Sequence, residues 1–385
     1  MLALDVDLLL ALGGLLLGLA TGVILRRTHY CFMGAIADWV LFASRRRLRS
    51  WLLAAALAAL GTQLLALSTR LALGDSAYLA SPPFWIGALL GGLAFGFGMV
   101  LTGGCISRNL VRAAGGSLKA WLVVLLVAVS AYATMAGILA PLHGLLRALN
   151  AALTPDLAVE PGLVGLVAGL FPLAPQQARL LLLLLPLGVL AFVFADPHLR
   201  RPGPELLAGV GLGVLVPMGW YLTGVLAFDP FELQRPQSLA FVGPTARSLL
   251  YVMTGGGSLP AFGTALVFGV LLGAAFAARS GGFRLETFRD GGDVLRHLLG
   301  ALLMGVGGTL AGGCTIGRGL TGLSTLSLDS FLATAAIFAG GVWGVRYLES
   351  GKLWPLTSAR RTLTAGGPAA PAPEPSSRMR PTERG

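Results

Sequence analysis

Nine apolar segments, each close to the thickness of a bilayer, dominate this chain of 385 residues: 8–25, 51–69, 84–101, 120–140, 178–195, 205–226, 262–278, 295–311 and 330–348. A helix that crosses lipid needs about 20 apolar residues, within a range of roughly 17–25. A chain that is only 12% charged, where soluble domains carry about 25%, has little else to build from. The pattern predicts an all-α fold, a polytopic membrane helix bundle of about nine spanning helices. Three shorter apolar pieces, 32–43, 109–118 and 162–174, are read as half-helices or re-entrant elements.

Charge fixes the expected topology. Arg26, Arg27, Arg45, Arg46, Arg47 and Arg49 follow the first span, and Lys352, Arg360, Arg361, Arg378, Arg380 and Arg384 follow the last. The positive-inside rule puts both groups in the cytoplasm and the N-terminus outside, which nine crossings satisfy. The net charge of +11 is therefore read as topology and anionic-lipid contact, with no nucleic acid as partner. The start, MLALDVD, is acidic and no small-residue cleavage site follows, so the first segment reads as a membrane helix rather than a leader. Residues 1–350 are expected to form one transmembrane domain. Residues 351–385, rich in Pro, Ala, Ser and Arg, read as a disordered basic cytoplasmic tail.

Glycines recur four apart, as at Gly14, Gly18 and Gly22, at Gly92 and Gly96, at Gly209 and Gly213, at Gly269 and Gly273 and at Gly340 and Gly344. Such stripes let helix backbones approach closely in lipid. A longer similarity places FGFGMVLTGGC, ending at Cys105, over MGVGGTLAGGC, ending at Cys314. This predicts two related repeats, about 8–140 and 262–348, joined by linking helices within 160–228, with the repeat orientation open between parallel and inverted. Sites of transporters built from repeats lie at the repeat interface.

The chain has three cysteines, Cys31 in RTHYCFMG, Cys105 in TGGCISRN and Cys314 in AGGCTIGRG. An odd number so far apart makes no disulfide framework, and without CxxC or CxxH spacing no metal or iron–sulphur cofactor is expected. A lone membrane cysteine is most often a small buried hydrophobe. Gly103 and Gly104 before Cys105, and Gly312 and Gly313 before Cys314, set two of them apart. The paired glycines are predicted to break a helix within the membrane, which is tolerated where backbone is buried in protein or lines a polar path. A helix restarting after the cysteine aims free N–H groups back at the thiol, an arrangement that suits an anion. Arg108 and Arg318 either add positive potential there or snorkel to the interface. His29 reads as a structural histidine or a proton carrier, and Asp38 as the partner of a nearby arginine.

The two GGC elements, the second continuing as CTIGRG, together with RTHYCFMGAIADW, resemble the YeeE/YedE sulphur-transport family of bacterial inner-membrane proteins across residues 8–348. The resemblance implies an hourglass-shaped bundle whose short helices meet at a central constriction. It implies thiosulfate uptake along a line of thiols, here Cys31, Cys105 and Cys314, and a separate small cytoplasmic sulphur-carrier protein as partner, since the tail holds no CPxP-like motif. Arg108 and Asn109 after the first GGC, and a long arginine-rich first loop, depart from the family pattern and leave the sulphur or selenium species open. The expected function is thus a permease for thiosulfate or a related sulphur anion in the inner membrane. The rivals are a membrane thiol–disulfide oxidoreductase and a non-transporting scaffold.

Overall fold

All nine predicted runs form helices, as the need to satisfy every peptide N–H and C=O inside lipid requires. The computed structural model describes residues 2–351 apart from 70, 154–161, 172, 197–202, 228–234, 257–258 and 282–284. The predicted tail, beyond residue 351, lies outside the described residues. Residues 1–345 form one compact unit and 346–385 a second. Described residues contain no β-strand beyond two isolated bridges, Ser117 with Glu286 and Gly162 with Ser327.

In chain order the helices are α1 (Leu2–Thr28), α2 (Phe32–Phe42), α3 (Arg46–Ser68), α4 (Trp85–Leu101), α5 (Ile106–Ala114), α6 (Leu118–Ala136), α7 (Ala140–Leu153), α8 (Leu163–Leu170), α9 (Pro175–Leu182), α10 (Leu184–Phe194), α11 (Pro204–Tyr221), α12 (Val242–Met253), α13 (Phe262–Gly281), α14 (Gly291–Leu310) and α15 (Leu328–Ser350). Eight helical stretches among the described residues are long and apolar enough to cross a membrane. The ninth predicted run, 295–311, is α14. Asp293, Arg296 and His297 fall in its first two turns, which lowers its hydropathy, yet it packs along both α4 and α6.

The structure corrects the sequence reading in four places. The expected long first loop is short, because Arg46, Arg47 and Arg49 are already the first turn of α3. The run 178–195 is two helical pieces meeting at Leu183. Helix α7 was not expected, since APLHGLLRALNAAL is amphipathic rather than apolar. Neither was α12, whose Pro244 and Arg247 hid it.

The glycine stripes are packing seams. A Cβ on Gly14, Gly18 or Gly22 would overlap the carbonyl oxygens of Phe262, Leu266 and Val270 in turn, so α1 and α13 run parallel at backbone contact. Gly96 and Gly340 do the same between α4 and α15, meeting Ile337 and Leu93 respectively. Backbones this close exclude lipid and gain dispersion contacts, which replace the hydrophobic drive absent between helices in a membrane.

Two further contacts are reciprocal. Gly91 lies against Gly307 while Gly98 lies against Gly300, and α4 and α14 are antiparallel. Gly13 lies against Leu222 while Gly211 lies against Ile24, and α1 and α11 are antiparallel too.

Candidate functional site

Both GGC elements end a helix by the same geometry. At the first, the Gly104 N–H reaches the Met99 carbonyl at 2.8 Å and the Gly103 N–H reaches that of Val100 at 3.2 Å. At the second, Gly313 reaches Gly308 at 2.8 Å and Gly312 reaches Thr309 at 3.1 Å. These are Schellman closures, which need a left-handed residue just past the helix. Gly103 at φ 70° and Gly312 at φ 71° supply it. After the break α5 follows Cys105, and a π-helical turn, Gly317–Gly322, follows Cys314. The second restart is therefore not the α-helix that the sequence predicts. Its three glycines, Gly317, Gly319 and Gly322, disfavour a regular helix.

The three cysteines are free thiols, each at the head of such a restart. Cys105, 3% exposed, precedes α5 and has its Sγ 3.1 Å from the Ser107 hydroxyl. Cys314 is fully buried, and its Sγ accepts the Gly317 N–H at 3.3 Å. Cys31 caps α2 with extended backbone at φ −158° and is partly exposed. Cys105 lies within electrostatic range of both Cys31 and Cys314, although the three are far apart in sequence. Cys31 opens on a cavity of about 200 Å³ shared with Arg27, His29, Tyr30, Arg47 and Trp51. Asp38 pairs with Arg47 at 3.3 Å, the arginine pairing expected of it.

The arginines after the two breaks differ. Arg318, 8% exposed, does not snorkel. Its Nε donates to the Ala311 carbonyl at 2.7 Å, and its guanidinium donates to Ser330 Oγ at 3.1 Å. It also stands 3.6 Å from the Asp329 carboxylate and 5.3 Å from the centre of the Tyr78 ring. It ties the end of α14 to the start of α15, and its charge is compensated. Arg108 makes no ion pair among the described residues. Its stem covers Gly104, and its charge is felt by Cys31 and Cys105. Asn109 braces the same break, donating to the Gly104 and Cys105 carbonyls at 2.8 and 3.2 Å. Below it, Arg112 and Ser117 hold Glu286 at 2.8 and 2.9 Å, and these hydrogen bonds keep the Glu286 carboxyl below its ordinary range.

Sequence reasoning missed several polar groups of this core. Among the described residues, buried polar atoms of Tyr30, Trp51, Thr315 and Thr245 have no hydrogen-bond partner. Only their nearness to the RTHYC and GGC elements could have flagged Tyr30 and Thr315, and Trp51 carries no such signal. Thr245 belongs to the unforeseen α12. Among the described residues no three His, Cys, Asp or Glu side chains stand together as a metal site.

Spanning helices packed through glycine seams and broken around buried polar groups and thiols define a polytopic membrane transport protein. A family model for sulphur transport matches residues 27–343, and the chain belongs to that family. The thiosulfate transporter TsuA of Escherichia coli (strain K12) is 27% identical over 351 residues, 88% of this chain and 94% of that protein. The thiosulfate transporter TsuA of Spirochaeta thermophila is 28% identical over 341 residues, 87% and 98% of the two chains. The probable transporter YedE of Salmonella typhimurium is 31% identical over 111 residues, 28% of this chain and 25% of that one. The family and these relatives are transporters, not enzymes.

Proposed function

We propose that this protein takes thiosulfate or a related sulphur anion into the cytoplasm, passing it along Cys314, Cys105 and Cys31. The observation that carries the reading is the position of the thiols. Each stands at the head of a chain restart, with Cys105 in electrostatic reach of the other two. A dianion loses a large hydration energy on leaving water. Peptide N–H groups at the breaks beside Gly103, Gly104, Gly312 and Gly313, the thiols and the unpaired Arg108 offset part of that loss along a path. Thiols are weak donors, so they release the ion again, as conduction requires. Arg318 acts here by holding the second break in shape.

Support for a repeat comes from the reciprocal contacts. The succession of long, short, long, long, broken and long elements in α1–α6 recurs from α11 to α15. On this view the second unit begins at α11 rather than at residue 262, and α3 is no longer an extra span because α13 is its equivalent. Equivalent helices α1 and α11 are antiparallel, as are α4 and α14, so the units are inverted about an axis in the membrane plane. With the basic ends of α1 and α3 in the cytoplasm of an inner-membrane protein, Cys314 lies toward the outside and Cys31 toward the inside. A separate sulphur-carrier protein then takes the ion at the Cys31 mouth.

The test is uptake of radiolabelled thiosulfate by proteoliposomes containing the purified protein. Saturable uptake lost in Cys105→Ala and Cys314→Ala supports the reading. Full uptake by the double variant removes the cysteine line, and no uptake by the wild type removes the function.

A further inference from the structure

One buried hydroxyl of the core has no explanation in the line of thiols. Tyr30 Oη is shielded from solvent and lacks a hydrogen-bond partner, yet it lines the cavity of Cys31 and lies in electrostatic reach of both Cys31 and Cys105. A buried O–H without an acceptor is destabilising, and phenylalanine would fill the same volume without that cost. The turn that delivers Tyr30 places His29 at a left-handed φ of 51°, a conformation that histidine adopts more readily than most residues.

We propose that Tyr30 reads the oxygen end of the transported anion. Its hydroxyl donates to an S–O oxygen while the thiols of Cys31 and Cys105 meet the sulphur end. This rests on the transport reading above and makes it more specific. A thiol donates weakly and discriminates little between oxygen and sulphur, whereas a hydroxyl bound to a charged oxygen is a short, strong contact. Together they recognise an anion at two points. Sulphide lacks the oxygen that Tyr30 needs, so a sulphur oxyanion is favoured over it.

Tyr30→Phe in the full chain tests the assignment in proteoliposomes. The expected result is a rise of about tenfold or more in the KM for thiosulfate, the size of one lost hydrogen bond to a charged group. Maximal uptake stays at the wild-type value, and the unfolding temperature of the ligand-free protein is unchanged or rises as the unpartnered hydroxyl is removed. An unchanged KM overturns the proposal. So does a joint collapse of maximal uptake and unfolding temperature, which would make the hydroxyl structural. If wild-type vesicles admit no thiosulfate, the transport reading falls separately, and Tyr30 is then read by the thermal shift that thiosulfate induces in detergent. A shift present in the wild type and lost in Tyr30→Phe supports the donor. Equal shifts in the two proteins, zero included, overturn it.

Discussion

Arg318 faces Asp329 at 3.6 Å across the second helix break, both nine-tenths buried. Removing one partner of such a pair leaves the other as an uncompensated buried charge. Asp329→Asn is therefore expected to destabilise the protein by about 3–5 kcal/mol. It also weakens the carboxylate that accepts the Phe84 N–H at 3.1 Å. Replacing both by hydrophobic residues of similar size, Arg318→Met with Asp329→Leu, should recover much of the loss. Thermal unfolding in detergent measures both. Equal melting of Asp329→Asn and the wild type would refute the bracing role.

Gly18 leaves no room for a side chain against the Leu266 carbonyl. Gly18→Val forces α1 off α13, and the expected outcome is little or no monodisperse protein on size exclusion. Gly144, with nothing within 4 Å of a Cβ, is the control. On helix α7, Gly144→Ala should be neutral or stabilising by up to about 1 kcal/mol.

Cys314 and Cys105 supply donors on the proposed path. Cys105→Ala and Cys314→Ala should each lower thiosulfate uptake by about tenfold or more, the loss of a hydrogen bond to an anion. Each thiol makes one weak sulphur hydrogen bond, so the variants should melt close to the wild type. A fall in uptake matched by a fall in folded protein would point instead to packing.

Glu286 gives a pH dependence of known sign. Hydrogen bonds from Arg112 and Ser117 hold its carboxyl below the ordinary glutamate value. Its contribution to stability is thus fully present above that ordinary value and is lost as pH falls through the lowered one. Glu286→Gln should melt lower than the wild type at neutral pH, and the difference should shrink on acidification. Because the Glu286 side chain is 44% exposed, the effect is small and salt-sensitive. A difference that grows in acid would contradict the assignment.

The helices were legible in the sequence because a membrane demands long apolar runs, and both GGC breaks because paired glycines interrupt such runs. Three things were not. Helix α12 carries Pro244 and Arg247, which mask a buried element. The pairing of Arg318 with Asp329 joins the end of one helix to the start of the next, and spacing alone does not say which way a side chain turns. The hydroxyl of Tyr30 reads as one more aromatic until its surroundings are seen.

By itself the sequence determined that the chain is a polytopic helical membrane protein with two glycine-broken helices, each presenting a thiol. Solvation dictates that much, since lipid permits few alternatives to a helix, and local backbone sterics do the rest. Only the tertiary structure decided which helices lie parallel and which antiparallel. It also brought Cys105 within electrostatic range of Cys31 and of Cys314, and compensated Arg318 while giving Arg108 no ion pair among the described residues. Those outcomes depend on contacts between residues hundreds of positions apart, where carbonyls and glycine Cα atoms meet and no local rule of the sequence applies.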